Sequence, residues 1–594
     1  MLAVAPPRAE LEARARQGMA ELDAWDLEAA RRIADELMAV APEEGVSKEL
    51  MAHVRFEEGE YARAVELFDS TGLRDQELAG LARATFQETR SYETRESPHF
   101  ILRSRPGKDA LLAPYAFDAL ERERAGLEKD LRFAPARKIR VEVLDDARAL
   151  SRTSTLSLEA IKTSGTIAVC KFDKLMIISP KALVRGYPWL DTLAHEYVHL
   201  VVSQMSRNQV PIWIQEGLAK FYESRWRGAP GLDLSPPAAA LLAEALKRKK
   251  LIPFDRMHPS MALLPSQEDA ALAFAEVFTA IEYLHGKGGD DLIVRLIEEL
   301  KKTGAYRVAL NKATGIAFPQ FQNDWMAFLA RREYPKETLP LSVEKLEFKE
   351  DSAKSRLAGK EKRKPDELNL GDFQEIDDPE GRKLAHLGEL LRQRNRYRAA
   401  ADELARAYAR VGNRSVLLSN RYAQTLVKLG ERAKAEQILG ASLKPFPKVA
   451  RTYQALAEIY LESKRWDQAE RAFLEVVSID PFDPLPHLGL LKIYTDRGDA
   501  PKASREKAAL SALQGQELRS TNEGLLRIQS HPYARVFLNG VDTGKTTPAQ
   551  LAVPAGSHTL KLVNDERGFT REAAVEIEAG EEKTVEVVLE GRPE

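Results

Sequence analysis

Three kinds of apolar spacing divide this chain. Lys138-Ile-Arg-Val-Glu-Val-Leu144 alternates residue by residue, as a half-buried strand does. Thr166-Ile-Ala-Val-Cys170 and Leu175-Met-Ile-Ile178 are short apolar runs that read as two further strands. Around Leu193, Ala194, Val198, Leu200, Val201 and Val202 the sequence is apolar on nearly every side, which predicts a buried helix. From Leu11 to about Thr85, and again from Leu384 to about Gln514, alanines and aromatics recur at long, regular intervals and predict paired helices. From residue 520 onward the period drops to two. Leu525–Ile528, Ala534–Leu538, His558–Leu562 and Lys583–Leu589 predict strands, and Asn539-Gly540 predicts a hairpin turn.

The second helical stretch repeats itself. Ala435, Ala469 and Ala503 lie 34 residues apart, and the pairs Tyr460/Tyr494 and Pro447/Pro481 keep that interval. This is the tetratricopeptide period. Tyr453-x-x-Leu456-Ala457-x-x-Tyr460 followed by Ala469-x-x-x-Phe473 resembles the repeat consensus, with small residues where helices approach and aromatics between pairs. Residues 383–516 are therefore read as an all-α tetratricopeptide solenoid of three to four repeats, the first (Tyr397 to Ala405) degenerate. Ala30/Ala64 and Ala34/Phe68 echo the interval, with Pro42 where a repeat closes, so residues 8–95 are read as N-terminal helical repeats. Residues 334–382, centred on Lys360-Glu-Lys-Arg-Lys-Pro365, are dense in both charges and read as a solvated linker.

Candidate chemistry sits in the predicted buried helix. His195-Glu196-Tyr197-Val198-His199 places two imidazoles at i and i+4, on one face, with a carboxylate beside them. Buried polar groups of this kind need partners, and a metal ion is one. A catalytic zinc takes three protein ligands and keeps one open position. Glu216, seventeen residues after His199 and early in a second helix, supplies the third. With Trp213-x-x-Glu216-Gly217-x-Ala219, the pattern resembles the gluzincin metallopeptidases of the bacterial peptidase MA-like type, over residues 97–333. Ser97–Leu102 resembles their opening strand, and Ala275–Phe328 their closing helices. The resemblance implies an α+β zincin-like domain, one Zn2+ per chain on His195, His199 and Glu216, Glu196 as general base, and a protein or peptide substrate. It also puts Phe274 where such domains often carry tyrosine, leaving the transition-state donor open between Tyr283 and His285. Asp191 and Glu223 are candidates to orient the ligands from behind, and Leu175–Ile178 to align an extended substrate.

Composition narrows the classes. At 594 residues, 44% hydrophobic and 30% charged, the chain is a multidomain globular protein. A net charge of -2 gives no argument for nucleic acid, and no run of eighteen apolar residues predicts a transmembrane segment. The single cysteine, Cys170, excludes an intramolecular disulfide and a cysteine zinc cluster. Residues 520–592 resemble a PEGA-type β-sandwich through His531–Ala534, Gly544-x-Thr546-Thr547-Pro548 and Val553–Gly556. That envelope-type module and the small-x-small Ala3-Val4-Ala5 point to the bacterial envelope or periplasm, and to the cytoplasm if Met1 is the true start. The competing expectation is a non-catalytic repeat scaffold with a structural or relic zinc domain, its partners bound through the repeats. Glu196 speaks against it, because a structural zinc needs no carboxylate there.

Overall fold

The alternating segment forms β3 (Ile139–Leu144) at the centre of a five-stranded sheet. Its companions are β1 (Glu93–Glu96), β2 (Phe100–Ser104), β4 (Ala168–Lys171) and β5 (Lys174–Ile178), ordered β1-β2-β3-β5-β4. The inner strands β2, β3 and β5 run parallel, whereas β1 and β4 are antiparallel edges. Every residue of β5 is buried, as expected of an inner parallel strand covered on both faces. This corrects one expectation: β5 has neighbours on both sides and cannot take up an added strand, while among the described residues β4 is the edge.

The computed structural model describes residues 6–71, 76–231, 234–261, 264–334, 348–349, 373–514, 523–554, 556–564, 568–578 and 581–589. The Ala3-Val4-Ala5 and Lys360–Pro365 segments lie outside them. The chain divides into two compact units, Met1–Glu506 and Lys507–Glu594. Among the described residues no helix is long and apolar enough to cross a membrane.

The first unit opens with α1 (Arg8–Asp23), α2 (Leu27–Val40), α3 (Gly45–Glu57), α4 (Tyr61–Asp69) and α5 (Gln76–Thr89). Ala30, Ala34, Ala64 and Phe68 are all in their common core. These helices are pinned to the sheet by a buried polar knot. Lys174 Nζ donates to Tyr61 Oη at 2.7 Å and to Glu142 at 3.1 Å, and Tyr61 Oη donates to Glu142. Breaking such a knot from one side leaves a charge stranded in the interior, a loss of about 3–5 kcal/mol.

After α6 (Leu112–Leu131), α7 (Ala147–Thr153) and α8 (Leu158–Ser164), the chain enters a helical half made of α9 (Trp189–Ser206), α10 (Ile212–Tyr222), α11 (Pro236–Arg248), α12 (Gln267–Thr303), α13 (Tyr306–Thr314) and α14 (Phe318–Arg331). Eight more helices follow, from Pro379–Gln393 to Ala500–Leu513, consecutive ones packed on each other along most of the series. Phe373 and Ile376, inside the expected linker, are buried in their core. This array docks on the start of α9. Tyr187 N–H donates to Ile479 O at 3.0 Å and Trp189 Nε1 to Val477 O at 2.9 Å.

The second unit is all β. Strands β6 (Glu523–His531), β7 (Arg535–Leu538), β8 (Val541–Thr546), β9 (Ala549–Pro554), β10 (Gly556–Asn564), β11 (Phe569–Ile577) and β12 (Glu582–Val588) form two sheets, β11-β10-β7-β8 and β12-β6-β9. Residues from both, among them Leu526, Val536, Leu551 and Leu560, share one core. Asn539 and Gly540 turn β7 into β8 with φ of 50° and 83°, the left-handed pair such a hairpin requires.

Candidate metal centre

Helix α9 is buried over most of its length, so its polar residues face a prepared environment rather than water. One side-chain bond ties α10 to it, Gln215 Nε2 donating to Ser203 Oγ at 2.8 Å, and on its other side Trp213 of α10 stacks on Phe254 with centroids 4.3 Å apart. Gly217 is required by close approach: a Cβ there would stand 2.7 Å from Val277 O and from Ile281 Cγ1 of α12. The residue after Glu216 therefore sets how deeply α10 sits.

The result is convergence. His195, His199 and Glu216 each offer one ligand atom, all within 4.8 Å of one another. His195 Nε2 and His199 Nε2 are 3.1 Å apart, and Glu216 Oε2 is 3.4 Å from each. Behind them, Glu223 Oε2 lies 3.0 Å from His195 Nδ1, and Lys220 Nζ donates to the other Glu223 oxygen at 2.5 Å. An imidazole that donates from Nδ1 presents the Nε2 lone pair forward. Two nitrogens and one carboxylate aimed at a single point are a set a divalent zinc-type cation fits.

Within the cluster the charges compensate one another. Burial alone would lower the His195 pKa, but hydrogen bonds to Glu216 and Glu223 push it up to about 10. Burial would raise Glu216, yet His199 and His195 hold it far below the carboxylate range. Glu196, only 7% exposed, is shifted upward by burial, against the pull of His199 and His195. The backbone N–H of Cys170 in β4 lies near enough to work against that rise.

That proximity follows from the sheet register. Ile178 N–H donates to Ile167 O, so in the alternating antiparallel ladder residues 169 and 171 also face β5. Ala168 and Cys170 turn their backbone groups away from β5, to the outer edge of the sheet. Sequence reading missed this contact, because a backbone donor carries no side-chain signature.

The remaining candidates separate. Glu223, a candidate but by sequence more simply a surface carboxylate, stands behind His195. Asp191 does not: it accepts from Arg227 Nε at 2.9 Å, Trp226 Nε1 at 3.2 Å and Lys448 Nζ at 2.5 Å, joining α9 to the second array. Tyr283 packs its ring between Phe321 and Phe328, and His285 bonds Asp290 at 3.1 Å, so neither joins the ligand group. Phe274 does approach, its ring 6.4 Å from that of His195, but it brings no hydroxyl.

Residues 123–331 match the Peptidase MA superfamily and residues 523–593 the PEGA domain. No curated protein matches the chain. Among solved structures, native leukotriene A4 hydrolase from Saccharomyces cerevisiae is similar at 13% identity over 71% of this chain and 67% of that one, with a TM-score of 0.28. The P58(IPK) TPR domain is similar at 11% identity over 83% and 99%, with a TM-score of 0.20. The APC/C hetero-tetramer Cut9-Hcn1 is similar at 10% identity over 85% and 79%, with a TM-score of 0.24. Likenesses this loose carry no argument. The chain contains a Peptidase MA-like domain with a His-His-Glu cluster able to hold a metal ion, and a PEGA domain.

Proposed function

We propose that this chain is a zinc-dependent metallopeptidase. The observation that carries the reading is the convergence of His195, His199 and Glu216 beside Glu196 and an open strand edge. A zinc ion held by those three side chains supplies Lewis acidity and makes water a nucleophile near neutral pH. Glu196 takes the proton of the attacking water and passes it to the leaving amine. Burial raises its pKa above the ordinary carboxylate value, which favours a group that returns the proton it has taken. Glu223 holds His195 from behind. An extended substrate pairs with the outward groups of β4.

The flanking helices are read as tetratricopeptide-type arrays that recruit a substrate or protein partner, and the last unit as a PEGA-type sandwich. This composition favours the bacterial envelope. A second reading, the non-catalytic scaffold, draws on one observation: neither Tyr283 nor His285 joins the metal ligands, and Phe274 has no donor. Zinc-loaded wild type and Glu196→Gln, incubated with an unfolded protein, separate the two. Cleavage by wild type alone supports the peptidase; equal cleavage by both removes Glu196 from the mechanism, and bound metal without any cleavage favours the scaffold.

A further inference from the structure

The two ligand-bearing helices are joined by a chain of charges that begins and ends in the second array. Lys448 Nζ donates to Asp191 Oδ2 at 2.5 Å, Arg227 Nε to Asp191 Oδ1 at 2.9 Å, and Arg227 Nη1 to Glu475 Oε1 at 2.5 Å. The signs alternate from one end to the other. The outer members belong to the array, Glu475 on the helix Trp466–Ile479 and Lys448 just before the helix Ala450–Glu462. The inner members belong to the metal centre's own helices. Asp191 lies in the first turn of α9, one turn before His195, and Arg227 ends the 3-10 turn Arg225–Arg227 that follows α10. Glu223, which backs His195, is four residues earlier in the chain than Arg227. Asp191 keeps only 13% side-chain exposure; burial would raise its pKa, yet Lys448 and Arg227 hold it below the ordinary carboxylate value.

The array helix Trp466–Ile479 grips the start of α9 a second time. That start follows Pro188 and has no side-chain cap. Fully buried Trp189 donates instead to Val477 O, and Tyr187 N–H to Ile479 O. Gly186 has a φ of 66°, and a Cβ there would stand 2.1 Å from Ile479 O, so this approach admits only glycine. The Arg225–Arg227 turn is held independently by α6, where Glu123 accepts Trp226 N–H at 2.8 Å and Asp130 accepts Arg225 Nε at 2.5 Å. His195 and His199 ride on α9 and Glu216 on α10. Three ligands from two helices converge only while the helices keep one spacing and one angle, which makes whatever ties them together part of the site's support.

We propose that Lys448 and Glu475 are positioning residues of the metal centre: through Asp191 and Arg227, the array sets how α9 sits against α10 and so the convergence of His195, His199 and Glu216. The inference rests on that cluster holding a metal and not on peptide hydrolysis. The array is then part of the scaffold of the site, whatever else it binds.

The test uses the full-length chain and two readouts, chelator-buffered zinc affinity and the visible absorption of Co2+ bound in place of zinc, which reports ligand geometry. Both are taken well below each variant's thermal midpoint. Lys448→Met combined with Glu475→Gln should lower zinc affinity by about tenfold, the low end of what partners beyond the ligands are worth, and should shift the Co2+ band. Each single variant should fall between the double variant and wild type, and Lys448→Arg, which keeps the charge, should restore affinity. Gly186→Ala, which drives the array off Ile479, should act in the same direction; the polar variants decide the matter if it does not fold. Arg432→Met, which breaks the exposed Arg432–Glu462 pair inside the array, is the control and should leave both readouts at wild type. A lower midpoint in the double variant with unchanged affinity and an unchanged band overturns the proposal, because the charges then serve only as glue. An equal loss in Arg432→Met overturns it as well. Failure of wild type to take up zinc or Co2+ overturns the metal reading and this inference together, whereas equal binding by all variants overturns the inference alone.

Discussion

Replacing Glu223 by alanine removes the carboxylate that fixes His195 from behind at 3.0 Å, without touching a metal ligand. Its effect on zinc affinity can be worked out from the two bonds this carboxylate makes. A hydrogen bond to a charged group contributes about 1.5–3 kcal/mol, and partners of metal-bound histidines are worth about 10–100-fold in affinity. Glu223 keeps 18% side-chain exposure, which sets the expectation at the lower end, about tenfold. The same carboxylate also helps hold the competing proton, because the bonds to Glu216 and Glu223 push His195 up to about 10. Metal and proton compete for Nε2, so wild-type affinity should climb with pH until about 10 and then level. In Glu223→Ala the climb should end at lower pH and the plateau should lie about tenfold below wild type. Near neutrality the two losses offset, and the variants should converge. Chelator-buffered zinc titrations from pH 6 to about 10.5 measure this. Lys220→Met, which removes only the outer bond at 2.5 Å, should leave the plateau nearly in place. An identical plateau and an identical pH dependence for wild type and Glu223→Ala would refute the supporting role.

Glu196→Gln should retain zinc and lose hydrolysis by about 10²–10⁴-fold, since the amide cannot accept the water's proton; metal analysis beside a fluorogenic assay reads both. Gly217→Ala should cost about 1–3 kcal/mol by pushing α10 off Val277 and Ile281, seen as a lower thermal midpoint together with weaker zinc binding. Burial pushes buried Glu276 up to about 8 from the 4.5 of an exposed carboxyl, so the folded chain holds that proton more tightly than the unfolded one. Its contribution is complete below 4.5 and is lost as pH rises through about 8. Glu276→Gln should therefore gain thermal midpoint over wild type across that window and no further, and a constant difference from pH 4 to 9 would contradict the assignment.

The metal cluster was legible because its spacing is set by helix geometry, and i, i+4 on a buried helix leaves little freedom. Glu223 could be named for a similar reason, two turns beyond Glu216. Asp191 could not be resolved: its position on α9 is equally compatible with backing a ligand or meeting another element, and Lys448 lies 257 residues away in sequence. Strand β5 was mistaken for the substrate strand because apolar runs reveal burial but not order in a sheet. Strands β8 and β11 escaped notice because charged residues dilute their alternation, and β9 because its run Ala-Gln-Leu-Ala-Val-Pro is short and closes on a proline. The tail of the expected linker was misread by its charge, although Phe373 and Ile376 anchor it to the array.

The bonds from Tyr187, Trp189 and Asp191 to the second array change how delivery to the metal centre must be pictured. A recruiting module on a slack tether raises local concentration, and its efficiency follows tether length. An array bolted to the first turn of the ligand-bearing helix has no such freedom. On the reading that the array recruits substrate, anything bound along it would be presented at one bearing and one distance. A bound chain would then have to be long enough to reach from its docking point to the cleft.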